Sequence, residues 1–147
     1  HSVKEYPQLN LFIRRHPLLN KKELKDFIND IGMIHFEYAD SGNIQEWLNN
    51  CDIVITTGCS VVILESVVMG IPVIRVKPDN NFFLDPMAWS NYPFKPVNNS
   101  SEIENQISFI LKMQDKDKTM FKDIGISVLY NYFSEINEKN LNKFIYN

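Results

Sequence analysis

Residues 52–76, DIVITTGCSVVILESVVMGIPVIRV, constrain the fold more than any other part of the chain. Asp52 to Thr56 and Ile71 to Val76 are apolar runs of strand length, and Ser60 to Met69 between them has the length of a helix and is apolar nearly all round. Strand, helix and strand in that order form a βαβ unit, which requires a parallel sheet with helices laid over it. Two features interrupt the apolar pattern: a break of small residues, Thr56-Thr57-Gly58-Cys59-Ser60, and one carboxylate, Glu65.

The flanking sequence continues the alternation. Leu9 to Arg15 reads as a buried strand stopped by His16-Pro17, because proline cannot extend a sheet. Asn20 with Glu23 predicts a capped helix carrying Leu24, Phe27, Ile28 and Ile31 on one face, with Gly32 as its C-cap. Met33 to Tyr38 predicts a second strand, and Asn43 with Glu46 opens a helix whose Ile44, Trp47 and Leu48 share a face. After Val76, residues 78–91 hold no sustained period and read as an aromatic-rich loop. Tyr92 to Val97 predicts a short last strand. Ser101 and Glu104 are expected to cap a helix with Ile103, Ile107, Ile110 and Leu111 inward, QDKDK at 114–118 to be a solvated turn, and residues 114–147 to be helical in two segments.

The expected class is therefore α/β: a Rossmann-like three-layer domain with a parallel sheet of about five strands and C-terminal helices, spanning 1–147 as a single domain. The composition agrees, since 147 residues at 44% hydrophobic and 22% charged can bury a real core, and no apolar run is long enough to span a bilayer. A net charge of −3 and a pI near 5.6 speak against nucleic acid as a partner. Two cysteines and no signal-peptide pattern point to a reducing, cytoplasmic setting. His1 stands where an initiator Met would, and the chain is expected to be a fragment of a longer protein.

In open parallel sheets, ligands bind beyond the carboxyl ends of the strands, beside helix N-termini that attract anions. The break at 56–60 falls at such a place, where backbone N–H groups and the hydroxyls of Thr57 and Ser60 can hold a phosphate and Gly58 lets the backbone approach closely. The plainer alternative is an ordinary N-cap made by Ser60 or Thr57. Glu65 lies about a turn and a half into the helix, and a carboxylate there must face a ligand crevice or pair locally, since burial without a partner is costly. A ribose diol would suit it. His16, at a strand's carboxyl end behind Arg14 and Arg15, is either a surface histidine or an anion contact.

Other candidates are weaker. His35 reads as structural, no His/Cys/Asp/Glu spacing matches a zinc site, and no P-loop or G-x-G-x-x-G is present. Cys59 has no base near it in sequence and reads as a small turn filler rather than a nucleophile. Asp79, Asp85, Phe82, Phe83 and Trp89 could meet a sugar or base, or cap the sheet.

IRRHP at 13–17 with DIVITTGCSVVILESVVMGIPVI at 52–74 resembles the C-terminal nucleotide-sugar-binding half of GT-B glycosyltransferases. The resemblance is strongest to bacterial capsule and surface-polysaccharide enzymes, the polysialyltransferase-like and CDP-glycerol transferase-like groups, which share an HP motif and a Ser/Thr-rich turn. Glu65 to Gly70-Ile71-Pro72 is similar to the family's E-x-x-x-x-G-x-P segment, whereas Gly58-Cys59 departs from the second hydroxyl or Asn many members carry.

The resemblance implies that His16 is catalytic and contacts the donor's phosphate. Arg15, Thr57, Gly58, Cys59 and Ser60 would bind the same phosphates and Glu65 the ribose, while Gly70 and Pro72 would be structural. It implies no cofactor or metal, only a CMP-, CDP- or UDP-linked sugar donor as substrate. The leaving phosphate would be stabilised electrostatically by His16, the helix N-terminus and an arginine. The acceptor's base would come from an N-terminal domain absent here, so the chain alone is expected to bind donor without turnover. The whole enzyme would work in the cytoplasm, associated peripherally with the inner face of the membrane. Alternatives are a UDP-N-acetylglucosamine 2-epimerase-like domain and a non-catalytic Rossmann-like assembly module.

Overall fold

The computed structural model describes residues 10–16, 19–30, 36–39, 41–57, 60–79 and 83–133. Pro17, Ile31, Gly32, His35, Gly58, Cys59, Phe82 and residues 134–147, all singled out above, lie outside the described residues. The chain divides into two compact units, His1–Asn50 and Cys51–Asn147.

In the first unit, β1 (Phe12–Ile13) and β2 (Glu37–Tyr38) pair in parallel, with Phe12 opposite Glu37 and Ile13 opposite Tyr38. Between them runs α1 (Lys21–Asp30), where the Asn20 side chain accepts from the Lys22 N–H at 2.8 Å. Leu24 and Ile28, one turn apart, form the inward stripe and Ile28 is buried, but Phe27 faces out, 60% exposed, contrary to the helix face expected from sequence. Successive residues stand about 100° apart around a helix, so Phe27 and Ile28 cannot both point to the same narrow contact. The short helix α2 (Ile44–Leu48) is capped by Asn43 as expected, and the Trp47 ring packs on Phe12 at 5.5 Å while its Nε1 donates to the Ser41 carbonyl at 2.6 Å.

The second unit contains the expected βαβ core. Parallel strands β3 (Val54–Thr57) and β4 (Val73–Val76) are joined through α3 (Val61–Val68), in a register that sets Thr56 opposite Arg75 and Thr57 opposite Val76. The helix ends in a Schellman turn: Ile71 N–H donates to Ser66 O and Gly70 N–H to Val67 O, both at 2.9 Å, with Gly70 at φ 82°. A Cβ at Gly70 would also come within 2.9 Å of the Lys118 carbonyl, so its structural role follows from both conformation and space. Along α3, Ile63, Leu64, Ser66 and Val67 are buried, while Val61 and Met69 are exposed and Glu65 is half-buried between them on the i, i+4 row. The helix is thus apolar on three sides and open on one, and the carboxylate belongs to the open side.

Past β4 three expectations change. Tyr92 to Val97 forms a single parallel bridge, Val76 to Val97, rather than a strand, because Pro93 and Pro96 have no N–H to give the ladder. A side chain takes over the vacated edge: the Tyr92 hydroxyl accepts from the Val73 N–H at 2.5 Å and donates to the Val73 carbonyl at 3.1 Å. The next helix, α4 (Ser100–Ile110), is capped by Asn99 rather than Ser101; Asn99 Oδ1 accepts from the Glu102 N–H at 2.9 Å, and Glu102 Oε2 accepts from the Asn98 N–H at 3.1 Å. QDKDK is the start of a helix and not a turn, since Gln114 is the N-cap of α5 (Asp115–Tyr132) and the Asp117 carboxylate accepts from its N–H at 2.8 Å.

Phe121 from α5 lies at the centre of an aromatic cluster with Tyr92 and Phe94, at 5.6 and 5.9 Å between ring centroids. Behind it, α5 packs on α3 through Gly125, which lies against the backbone of Val67 and Val68. No helix among the described residues is long and apolar enough to cross a membrane.

Candidate functional site

β3 ends with Thr57 at the carboxyl end of the strand pair, and Ser60 is the N-cap of α3. Thr57, the last residue of β3, is exposed, and Ser60 is half-buried at the N-cap with extended backbone. The N-cap asparagines of α1, α2 and α4 each accept a hydrogen bond from an amide of their own helix. Ser60 behaves differently: its hydroxyl makes no capping hydrogen bond, while its carbonyl accepts from the Ile63 N–H at 3.0 Å. The plain N-cap reading is therefore not realised by the Ser60 side chain, which leaves the hydroxyl and the start of the helix able to meet an anion.

Glu65 stands five residues further, about 7.5 Å along the helix axis at the rise of an α-helix. Its carboxylate makes no hydrogen bond or ion pair among the described residues, so the local-pairing alternative does not apply within them. Thr57, Ser60 and Glu65 thus belong to one unit, at the end of β3, the N-cap of α3 and the middle of that helix.

Arg15 and His16 lie in the first unit, directly after β1. The Leu19 carbonyl accepts from Arg15 Nη1 at 3.0 Å, the Leu19 N–H donates to the His16 carbonyl at 2.9 Å, and His16 is exposed. Arg14 serves a structural purpose, clasping the Ala39 carbonyl at 3.0 Å and the Gly42 carbonyl at 3.3 Å.

The sequence did not reveal a buried polar cluster in the same unit. Arg75 in β4 is 3% exposed, pairs with the Asp85 carboxylate, donates to the Phe94 carbonyl, and lies 4.8 Å from the centre of the Tyr92 ring. Its signal was a lone cation inside IPVIRV with an aspartate ten residues on. Burial is the main reason the Tyr92 phenol is pushed up to about 12; the Val73 hydrogen bond and Arg75 oppose that rise and Asp85 adds to it. The pKa of the Cys51 thiol is raised above its ordinary value, chiefly by burial and then by Asp52.

No family model matches the chain, and no curated protein matches it by sequence. Solved structures do share its fold. The catalytic domain of the cholesterol-α-glucosyltransferase from Helicobacter pylori superposes with a TM-score of 0.52 at 17% identity, covering 86% of this chain and 82% of that one. The C-terminal domain of a group 1 glycosyl transferase (LpcC) from Francisella tularensis gives 0.52 at 18% identity, covering 91% and 75%. The chain thus has the Rossmann-like α/β fold of a GT-B half-domain. The described strands form two two-stranded parallel sheets and one isolated bridge rather than one continuous sheet of about five strands, and the α/β class stands.

Proposed function

We propose that this chain is the nucleotide-sugar donor-binding half of a glycosyltransferase acting in bacterial surface-polysaccharide synthesis. The observation that carries the reading is Glu65: a carboxylate without a side-chain partner among the described residues, half-buried one turn inside a helix whose N-cap hydroxyl is also unused by the helix. A ribose diol satisfies the first and a phosphate the second, and a nucleotide carries both in the correct order. The fold shared with two glycosyltransferase domains supports the same reading.

In this scheme Thr57, Gly58, Cys59 and Ser60 hold the donor's phosphates and Glu65 accepts hydrogen bonds from the ribose hydroxyls. His16 of the HP motif, beside Arg15 in the first unit, would stabilise the negative charge that builds on a leaving phosphate as the glycosyl or polyol-phosphate group departs to an acceptor oxygen. The acceptor and its base belong to an N-terminal domain of the same protein, and the whole enzyme works in the cytoplasm at the inner face of the membrane.

A two-dimensional NMR titration of the chain with CMP, CDP, UMP, UDP and AMP tests the proposal. Shifts at Thr57, Ser60, Glu65, Arg15 and His16 with one pyrimidine nucleotide are expected and name the base. Equal responses to AMP, or shifts elsewhere only, overturn it.

A further inference from the structure

Asp85 and Trp89 stand together in the sequence as candidate sugar contacts, and the structure separates them. The Asp85 carboxylate is spent on buried Arg75. From Asp85 a tight turn is built: its Oδ1 accepts from the Met87 N–H at 3.0 Å, and its carbonyl accepts from the Ala88 N–H at 3.1 Å. The Ser90 hydroxyl closes the turn, donating to the Met87 carbonyl at 2.8 Å and accepting from the Tyr92 N–H at 3.3 Å. Met87 anchors it inside at 2% exposed. Trp89, held between these bonds, is 91% exposed, the most open of the large hydrophobic residues described. The ring therefore caps nothing. Because the backbone beneath it is fixed, presenting the indole to a ligand costs little ordering entropy.

The surroundings of the ring decide which ligand suits it. Residues 78–94 include no Lys or Arg, and their only charges are Asp79 and the paired Asp85. A phosphate-bearing ligand or an anionic lipid surface would look for cations beside the indole, and this segment supplies none. A protein hot spot would sit amid apolar neighbours that exclude water, whereas Trp89 is flanked by Ala88 and Ser90. The polar group at hand is neutral. Asn91 is exposed, and neither its amide nor the Trp89 indole N–H has a hydrogen-bond partner among the described residues. A pyranose matches that pair: one face of the ring is lined with C–H groups that stack on an aromatic surface, and its hydroxyls donate and accept as a carboxamide does.

We propose that the 85–91 turn is a saccharide-contact site, with the Trp89 indole as platform for a neutral pyranose unit and the Asn91 amide reading its hydroxyls. The inference rests on the glycosyltransferase reading above for the glycan it meets, the acceptor or the lengthening product, and requires nothing of the Thr57–Ser60 turn.

NMR titration of the chain with maltotetraose, cellotetraose and chitotetraose tests it. The chain has two tryptophans, and Trp47, whose Nε1 donates to the Ser41 carbonyl, is the internal control. The Trp89 indole and Asn91 amide signals are expected to shift with at least one glycan while Trp47 stays still. W89A should weaken that binding about tenfold and N91A about fivefold, both at an unchanged urea midpoint because neither side chain holds the fold. A Trp89 signal that answers none of the three glycans overturns the proposal. So does one that moves with CMP or UDP and not with glycan, which assigns the ring to a base. Cosedimentation with phosphatidylglycerol vesicles that W89A abolishes, without a glycan response, assigns it to lipid and overturns the proposal equally. Glycan binding without any nucleotide binding refutes the donor-binding reading alone, and nucleotide binding at Thr57 and Glu65 with a silent Trp89 refutes this inference alone.

Discussion

Gly125 offers the sharpest test of how the second unit is held together. A methyl group built on its Cα would lie 2.5 Å from Val68 N, 2.6 Å from Val67 C and 2.9 Å from Val67 O. Ordinary contact begins near 3.4 Å, so the closest of these is short by about 0.9 Å. All three atoms are α3 backbone and cannot escape by changing rotamer, so G125A must push α5 away from α3. A gap of that size forfeits a quarter to a half of the dispersion energy of the atoms lining it, and Phe121 and Val128 on α5 are buried. Overpacking of this kind costs about 3 kcal/mol, against which alanine returns about 1 kcal/mol of helix propensity over glycine. The expected net loss is about 2 kcal/mol, read as a fall of roughly 1 M in the urea midpoint with an unchanged slope, followed by far-UV circular dichroism. The sign is the decisive quantity. Were the two helices not in backbone contact, the same substitution would raise stability by about 1 kcal/mol, so a variant as stable as the wild type or more stable refutes the packing argument.

Other consequences follow from single contacts. Y92F leaves the Val73 N–H and carbonyl on the edge of β4 without the hydroxyl that serves both, and should cost about 2 kcal/mol in urea or thermal unfolding. The same phenol makes the fold alkali-sensitive. Because its folded pKa is raised to about 12 from an ordinary 10, the stabilisation of the neutral form is complete below pH 10 and is lost as pH rises toward 12; it amounts to roughly 3 kcal/mol, and the slope should vanish in Y92F. E65Q should leave the urea midpoint unchanged, since the carboxylate holds nothing among the described residues, while weakening pyrimidine nucleotide binding about tenfold in the NMR titration; equal binding removes Glu65 from the site. N99A should cost about 1 kcal/mol by exposing the first turn of α4, and N99D should retain the cap, a contrast that thermal unfolding resolves.

What could be read from the sequence divides along a physical line. The βαβ core was legible because burial writes itself as period: DIVIT and IPVIRV are continuous apolar runs, and Gly70 before Pro72 marks the helix end that the Schellman turn realises. Periodicity alone did not say which side of α3 stays open, because Val61 and Met69 are as apolar as the residues they stand beside; only Glu65 betrayed the exposed row. Tyr92 to Val97 was misread for a related reason. Its aromatic content suits a strand, yet two prolines forbid the ladder, and the partner that closes the edge is a side-chain hydroxyl, which no pattern of backbone periods reveals. The Arg75–Asp85 pair was harder still, since its members stand ten positions apart in sequence and their meeting is fixed by tertiary structure. The candidate site lies between these cases. Its turn was legible from small polar residues, but the distinction between a cap and a ligand site depends on whether Ser60 spends its hydroxyl on its own helix. It does not, although three asparagines in the same chain do. Among the described residues, then, one helix keeps both a hydroxyl and a carboxylate out of local bonds, and the nucleotide titration set beside E65Q decides whether a ligand uses them.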